Sequence, residues 1–251
     1  MPRIGTAGWS IPKPHAAEFP ADGTHLQRYA SRFSAVEINS SFYRSHKPAT
    51  YARWAASVPA GFRFAVKVPR QITHVRRLVA TTEAVDRFLS EVQALGDTLG
   101  PLLVQLPPSL GFQDALAGTF FDLVRTRFDG AVVCEPRHAS WFTDAANALL
   151  VRFGIARVAA DPAPVPPAAQ PGGWSGLVYR RLHGSPRIYY SNYEADFLQK
   201  LGNSLRAFCA SSDVWCIFDN TAAGAAMENA LALKDTENAD RFHSRQLATR
   251  S

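Results

Sequence analysis

The chain has 251 residues, of which 47% are hydrophobic and 19% are charged, and this apolar fraction excludes a globally disordered protein. No apolar run approaches the ~18 residues that a membrane-spanning helix requires, so the composition also speaks against an integral membrane protein. The formal net charge of +6 favours an anionic partner.

Eight short apolar runs rich in β-branched residues follow one another along the chain, and each ends in turn or polar residues. They are Arg3–Trp9, Ala35–Tyr43, Arg63–Pro69, Leu102–Pro107, Ala131–Arg137, Ala156–Asp161, Leu177–Gly184 and Val214–Asn220. Most of the intervals carry the spacing of an amphipathic helix, as after the third run, where apolar residues recur from Val85 to Leu95. Strands that alternate with helices predict βαβ units, and eight such units at ~250 residues predict a single (β/α)8 barrel of the TIM type.

Two stretches depart from this alternation. Pro162 to Gly176 holds five prolines and three glycines, which predicts an irregular loop in place of the helix after strand six. Asp235 to Ser251 is polar and has no clear apolar face, so we expect a barrel domain over residues 1–234 and a frayed tail over 235–251.

An open doubly wound sheet is the alternative fold. Eight consecutive units leave no room for its usual edge strand, and GTAGWS after the first strand is a poor match to the GxGxxG phosphate-binding motif. The barrel is therefore the favoured fold.

The first predicted strand begins within three residues of the amino terminus, which leaves no room for a signal peptide. The three cysteines, Cys134, Cys209 and Cys216, are odd in number and lack CxxC spacing, which fits a reducing compartment. We therefore expect a cytoplasmic protein with no membrane partner.

Polar and aromatic residues stand at the carboxyl end of each predicted strand, where barrel enzymes carry their chemistry. Residues two apart share a face of a strand, so Glu135 and Arg137 point together, as do Arg181 and His183. If these are the inward faces, the four ionisable side chains converge at the mouth of the barrel. The alternative is that they form structural ion pairs, with Arg181 as the partner of Glu135.

The predicted site combines cations that hold an anion with groups that transfer a proton. Its catalytic residues are Glu135, His183 and Asp161, and its substrate-binding residues are Trp9, Asn39, Lys67, Arg137, His138, Arg181 and Asn220. In this interpretation Lys67, Arg137 and Arg181 clamp the anion. Asp161 orients or tunes an imidazole.

Seven segments follow one another from about Ile4 to Leu233. They are GTAGWS, VEINSSFYR, FRFAVKVPRQITH, LLVQLPPS, CEPRHASWF, YRRLHG and FDNTAAGAAMENAL. Together they resemble the successive signatures of the YecE-like family, a domain of unknown function numbered 72. The resemblance implies a barrel fold and places Glu37 with the predicted site residues, but it implies no general activity. The segment after Trp9 and the Pro-rich segment before Leu177 depart from the family pattern, which indicates a specialised rim.

Two further features are compatible with an anionic ligand. They are equally compatible with solvated arginines on an Arg-rich chain and with an Ala-rich helix packed on its neighbour. Between Glu37 and Glu83 there is no acidic residue, whereas cations recur, among them Arg70, Arg76 and Arg77 in or beside the loop after strand three. Asn220 or Thr221 can cap a helix after strand eight, at the place where barrels commonly bind phosphate.

The predicted site has no metal and no cofactor. Its candidate metal ligands are Glu37, His74, Glu135, His138, Asp161, His183 and Asp219. They form no tight motif such as HExxH, and the neighbouring cations would repel a dication.

The leading functional hypothesis is an enzyme of hydrolase or lyase type that acts on a phosphorylated or other anionic substrate, such as a nucleotide or nucleic acid. The alternatives are a non-catalytic module that binds single-stranded nucleic acid or another polyanion, and a metal-dependent phosphodiesterase. Turnover separates the first from the second, and sensitivity to chelators identifies the third.

Overall fold

Two sheets of mostly parallel strands form the centre of the computed structural model, which describes the backbone of residues 1–248 and the side chains of residues 1–237. The strands are β1 (Arg3–Thr6), β2 (Ala35–Ile38), β3 (Arg63–Lys67), β4 (Leu99–Gln105), β5 (Val132–Glu135), β6 (Ile155–Arg157), β7 (Ala159–Asp161), β8 (Gly172–Gly173), β9 (Leu177–Leu182) and β10 (Asp213–Phe218). One sheet has the order β1-β10-β9-β7 and the other β2-β3-β4-β5-β6-β8, with β8 antiparallel to β6. The chain is therefore an α/β fold built on parallel sheets.

Helices follow most of the strands, because the intervals between strands carry an apolar face. The helices are α1 (His25–Arg32), α2 (Pro48–Ala56), α3 (Thr82–Val92), α4 (Asp114–Arg125), α5 (Asp144–Arg152), α6 (Ala195–Phe208) and α7 (Ala225–Ala248). At the start of α5, the hydroxyl of Thr143 accepts a hydrogen bond from the amide of Ala146. Over the described residues, no helix is both long enough and apolar enough to cross a bilayer.

The strand ladder is interrupted at two places. Between β1 and β2 the pairing is an isolated bridge from Ala7 to Glu37. Gly5 allows this approach, because a Cβ at that position would overlap the carbonyl oxygen of Ala35. The predicted sixth strand is divided at Val158, since β6 pairs with β5 whereas β7 pairs with β9. The eight predicted strands therefore lie in two sheets and not in one continuous ladder.

The Pro-rich stretch between β7 and β9 carries a short 3-10 turn (Pro166–Ala169) and β8 in place of an α-helix. At the other end of the chain, α7 continues through residue 234, where we expected a frayed tail to begin. The helix continues because Glu237 accepts a hydrogen bond from Arg206 of α6 at 2.5 Å. Residues 249–251 of the expected tail lie outside the described residues.

Apolar layers lie on both faces of the strands. Val36 and Val66 belong to the layer between the strands and the helices. Ala35, Ala65 and Trp215 belong to a second layer, which joins residues of both sheets. The two sheets therefore turn this second, inner face toward each other.

Candidate functional site

The inner face of the strands changes from apolar to ionisable toward their carboxyl ends. Glu37 lies two positions beyond Ala35 and Lys67 lies two beyond Ala65, so the same face carries both kinds of residue. We call the ionisable group at this end the mouth cluster. It consists of Glu37, Lys67, Glu135, Arg137, Arg181, His183 and Asp219, all of them buried except the partly exposed Arg137.

Arg181 lies fully buried among three carboxylates. Its Nε and Nη2 donate to Glu37 at 3.0 and 2.7 Å. Its Nη1 donates to Glu135 at 2.6 Å, and Nη2 also donates to Asp219 at 2.9 Å. The hydroxyl of Tyr179 donates a further bond to Glu37 at 2.9 Å. Because every guanidinium nitrogen donates to a carboxylate, the geometry matches the ion-pair alternative for Arg181 and leaves the predicted clamping of an anion to other cations.

His183 lies between two carboxylates of the mouth cluster. Its Nδ1 is 3.0 Å from Asp219 Oδ2, and its Nε2 is 2.8 Å from Glu135 Oε1. Arg137 Nη2 donates to the same Glu135 oxygen at 2.9 Å and lies 3.1 Å from His183 Nε2. Glu135 Oε1 is therefore a shared acceptor. A ring held between carboxylates in this way can carry a proton from one side of the cluster to the other.

The charges of the cluster favour the ionised form of Glu135 and of Asp219. Burial by itself raises the pKa of Glu135, but Arg181, Arg137 and His183 hold that pKa well below its usual range. For Asp219, Arg181 and the hydrogen bond from His183 likewise outweigh burial and lower the pKa. Burial lowers the pKa of Arg181, but the three carboxylates raise it well above its usual value. The centre of the cluster is thus a fixed set of paired charges.

Lys67 and Arg137 differ from Arg181 because they keep unused donors. Lys67 Nζ lies 4.2 Å above the centre of the Phe42 ring, and among the described residues no acceptor lies within hydrogen-bonding distance of it. Burial, reinforced by Arg181, lowers the pKa of Lys67 to about 8. The Nε of Arg137 is also buried without a partner in the described part of the chain. Lys67 and Arg137 therefore keep donor groups that the described residues do not satisfy.

Asp161 lies at the predicted strand end but is not the partner of the imidazole. Its Oδ1 accepts a hydrogen bond from the hydroxyl of Tyr193 at 2.8 Å. The carboxylate that contacts His183 Nδ1 is Asp219. Asp219 therefore contacts the imidazole in place of Asp161. Asp219 lies two residues beyond Ile217 of the inner layer, whereas Asp161 is in register with Leu182 of the outer layer.

Three predicted binding residues belong to the surroundings of the mouth cluster. Trp9 packs edge-on against Trp54, with ring centres 5.0 Å apart. His138 Nδ1 lies 2.8 Å from the hydroxyl of Ser140. The Oδ1 of Asn39 is buried, and within the described residues it has no hydrogen-bond partner. Of these three, Asn39 is the residue with a buried polar atom that has no partner among the described residues.

The predicted phosphate site at Asn220–Thr221 does not coincide with a helix start. Helix α7 begins later, at Ala225. The side-chain amide of Asn220 donates to the carbonyl of Ser191 and to Asn229, each at 2.9 Å. Asn220 therefore ties the loop after β9 to α7 and does not cap a helix.

Glu37 and Asp219 are the cluster members that the predicted set of catalytic and binding residues omits. Both stand at strand ends in the sequence and both are candidate metal ligands there. Their alternation with inner-face residues was the signal that could have placed them in the site. What alternation cannot show is that one buried arginine would hold both of them.

We expect the protein purified without added metal to contain no stoichiometric zinc, iron or manganese. The guanidinium of Arg181 occupies the space between three carboxylates that a divalent cation would need. Among the described residues, no group of three or more His, Cys, Asp or Glu side chains is placed to hold a metal ion. Elemental analysis of the purified protein measures this. One equivalent of tightly held metal would contradict it.

Comparisons with known proteins bear on the family and on the fold. A family model described as "Protein of unknown function DUF72" matches residues 3–250. The UPF0759 protein YecE of Escherichia coli is 32% identical over 168 residues, which are 64% of this chain and 60% of that protein. The UPF0759 protein YunF of Bacillus subtilis is 27% identical over 149 residues, which are 56% of this chain and 52% of that protein. The match thus spans less than two thirds of the length of these curated relatives.

Solved structures show the same fold. A crystal structure of a DUF72 family protein from Enterococcus faecalis has a TM-score of 0.80 at 22% identity, covering 95% of this chain and 96% of that one. One from Thermotoga maritima has a TM-score of 0.77 at 23% identity, covering 94% and 98%. A xylose isomerase-like TIM barrel/4-hydroxyphenylpyruvate dioxygenase fusion protein has a TM-score of 0.53 at 15% identity, covering 99% of this chain and 45% of that protein.

Proposed function

The chain belongs to the DUF72 family, whose description assigns no activity, and from its mouth cluster we propose that it is an enzyme acting on a small phosphorylated or otherwise anionic substrate. The observation that carries the proposal is the state of Lys67. This residue is 5% exposed, and its ammonium group lies 4.2 Å above the centre of the Phe42 ring and has no hydrogen-bond acceptor among the described residues. Burying a charge in this way is costly unless a ligand completes the site.

Lys67 and Arg137 together would bind the anionic group of the substrate. Arg137 Nη2 already pairs with Glu135, whereas its Nε has no partner in the described residues. An anion that draws Arg137 away from Glu135 removes one of the two groups that contact Glu135 Oε1, so that this oxygen can accept a proton from the substrate. His183, which contacts the same oxygen, would carry that proton onward and Asp219 would hold the ring. This is acid/base chemistry of the hydrolase or lyase type.

The proposal includes a closed (β/α)8 barrel whose mouth is the substrate site. Its support is the circular order of the strands: the Ala7–Glu37 bridge connects the two sheets on one side, and the divided sixth strand connects them on the other. Arg181 of β9 then pairs across the interior with Glu37 of β2 and Glu135 of β5. A barrel places its chemistry at this end of the strands.

The test is thermal unfolding of the protein with a panel of sugar phosphates, nucleotides and inorganic phosphate. A ligand at 100 times its Kd stabilises the folded state by ~2.7 kcal/mol, which raises the Tm of a chain of this size by ~5–10 °C. We expect such a shift for at least one phosphorylated compound. Arg137→Gln should abolish it, whereas Arg152→Gln, which removes an exposed charge on α5, should not.

Compounds that bind are then incubated with the protein and their products identified by mass spectrometry. Product formation that resists chelators supports the proposal. Binding without turnover would point to a non-catalytic polyanion-binding module, and turnover that chelators abolish would point to a metal-dependent phosphodiesterase. Shifts of equal size in Arg137→Gln and in the native protein would contradict the proposed site.

A further inference from the structure

A cleft of about 520 Å³ lies beside the mouth cluster, between the loops after β2 and β3 and helix α3. We call it the β3 groove. Its volume is within the ~300–1,000 Å³ typical of sites for small molecules and cofactors. Phe42, whose ring covers Lys67, lines this groove as well. The groove and the mouth are therefore neighbours that share one aromatic wall, and the groove plays no part in the proposed acid/base chemistry.

The groove is rich in arginine. Its lining includes Arg44, Arg70, Arg76 and Arg87. Within the described residues, none of these four arginines has a carboxylate within 4.0 Å, since none takes part in a described ion pair. The acidic residues in the lining are Glu83 and Glu91, and Glu91 accepts a hydrogen bond from Ser45. Four cations against two anions leave a formal excess of two positive charges, which favours an anionic ligand.

The rim of the groove offers an aromatic ring to the solvent. Tyr43 is 71% exposed and leans edge-on against Phe42, with ring centres 5.0 Å apart. Aromatic rings beside cationic side chains are the usual stacking platform for bases. The groove thus combines donors for a phosphate with a surface for a flat ring.

The opposite wall of the groove has a fixed and unusual backbone. A π-helical turn runs over Gln71–Val75, and beyond it Arg77, Leu78 and Ala80 have φ angles of +50°, +70° and +48°. Non-glycine residues in this left-handed region cost free energy, and together with π-helical turns they occur most often at functional sites. Arg77 fixes the segment by donating to the hydroxyl and the carbonyl of Ser109, each at 2.8 Å. Arg77, one of the cations of the loop after strand three, therefore already has its hydrogen-bond partners in Ser109. Because this contact holds the loop in place, we infer that the groove is preformed.

We propose that the β3 groove binds a nucleotide unit, with the phosphate on its arginines and the base on Tyr43. The unit is either a free mononucleotide or the terminal residue of a single strand, since both present the same chemistry. This site lies outside the mouth cluster, so it does not depend on the proposed enzymatic function. Failure of either proposal leaves the other intact.

The test measures binding of adenosine 5′-monophosphate, inorganic phosphate and a short labelled oligothymidylate to the full chain at low and moderate salt. The groove variant is Arg70→Gln/Arg87→Gln. Its matched control is Arg152→Gln/Lys200→Gln, which removes two exposed charges from α5 and α6. We expect the groove variant to weaken nucleotide binding at least ~10-fold and the control to leave it unchanged. Tyr43→Ala should weaken nucleotide binding by about 10-fold but leave phosphate binding as it is.

The two sources of the nucleotide unit differ in their salt dependence. A terminal residue of a strand makes log affinity fall with log salt by ~0.7 for each phosphate neutralised, and binding then tightens with strand length. If the ligand is instead a free mononucleotide, the mononucleotide and the strand should bind with equal affinity. Equal affinities in the groove variant and the control would overturn the proposal. So would nucleotide binding that Tyr43→Ala does not change.

Discussion

Replacing Arg181 with Ala is expected to destabilise the protein by at least ~3–5 kcal/mol, the usual effect of breaking a buried ion pair by removing one partner. The variant leaves the carboxylates of Glu37, Glu135 and Asp219 buried without the cation that each of them contacts at 3.0 Å or less. For a chain of this size each kcal/mol lowers the Tm by ~2–4 °C, so the Tm should fall by ~6–20 °C. Differential scanning calorimetry at pH 7 measures it.

The matched control is Arg180→Ala on the same strand. Arg180 lies on the other face of β9 and donates to the hydroxyl of Ser204. Among the described residues it forms no ion pair, so its removal leaves no carboxylate without its cation. A drop for Arg181→Ala no larger than for Arg180→Ala would mean that Arg181 is available to a ligand after all.

The same variant should be more sensitive to acid. In the native protein Arg181 lowers the pKa of Glu135 and of Asp219, so the stability that these acids contribute is present above the unfolded pKa of ~4. That contribution is lost only as the pH falls through the lower folded values. Without Arg181, the effect of burial on the two acids outweighs that of the remaining charges, and the pKa values of Glu135 and Asp219 rise. On acidification the variant therefore begins to lose stability at a higher pH than the native protein does. Urea unfolding of both proteins at a series of pH values measures the pH at which each begins to lose stability.

Replacing Lys67 with Met is expected to reduce activity on the anionic substrate by at least ~100-fold, the typical effect of removing one donor that faces developing charge. At pH 7 the Tm should stay unchanged or rise. The reason is that the ammonium group is buried against Phe42 without an acceptor among the described residues, and methionine fits that surface without a charge. The two effects together separate a residue kept for its chemistry from one kept for the fold.

The pH dependence of stability gives an independent measure of Lys67. Its folded pKa of about 8 lies below the unfolded value of ~10.4, so between these values the unfolded chain binds more protons than the folded one. Stability from this residue therefore rises as the pH increases from about 8 to about 10. Lys67→Met should lack this rise, and Lys200→Met on the exposed face of α6 should retain it. A lower Tm for Lys67→Met at pH 7 would show that the ammonium group stabilises the fold.

The inner faces of the strands could be predicted from the sequence, because alternation is a local property. Glu135 with Arg137 and Arg181 with His183 follow from it directly, and the structure places all four in the mouth cluster. The identity of the partners could not be predicted in the same way. β7 and β10 both flank β9, and the register of each strand decides which carboxylate reaches the imidazole. Asp161 and Phe218 both pair with Leu182 of the outer layer, so Asp161 lies on the outer face and Asp219, one residue beyond Phe218, lies on the inner face.

The role of Arg181 could not be read from the sequence either. An arginine at a strand end is equally compatible with a clamp for a ligand and with an ion pair. Three carboxylates surround Arg181 only because β2, β5 and β10 reach the same depth of the interior. Similarly, the acid-free stretch predicted a basic surface, but the direction of Arg77 toward Ser109 depends on the left-handed backbone of the loop.

The pairing of β1 with β10 has a consequence for how the molecule is made. Arg3 lies opposite Trp215 in the ladder, so β1 is synthesised long before the strand that pairs its main-chain groups on that side. Glu37 and Glu135 are likewise synthesised before Arg181. Burial of both carboxylates is costly until Arg181 is in place to offset it. The buried salt bridges of the interior therefore join residues far apart in the sequence and can form only after β9 has been synthesised.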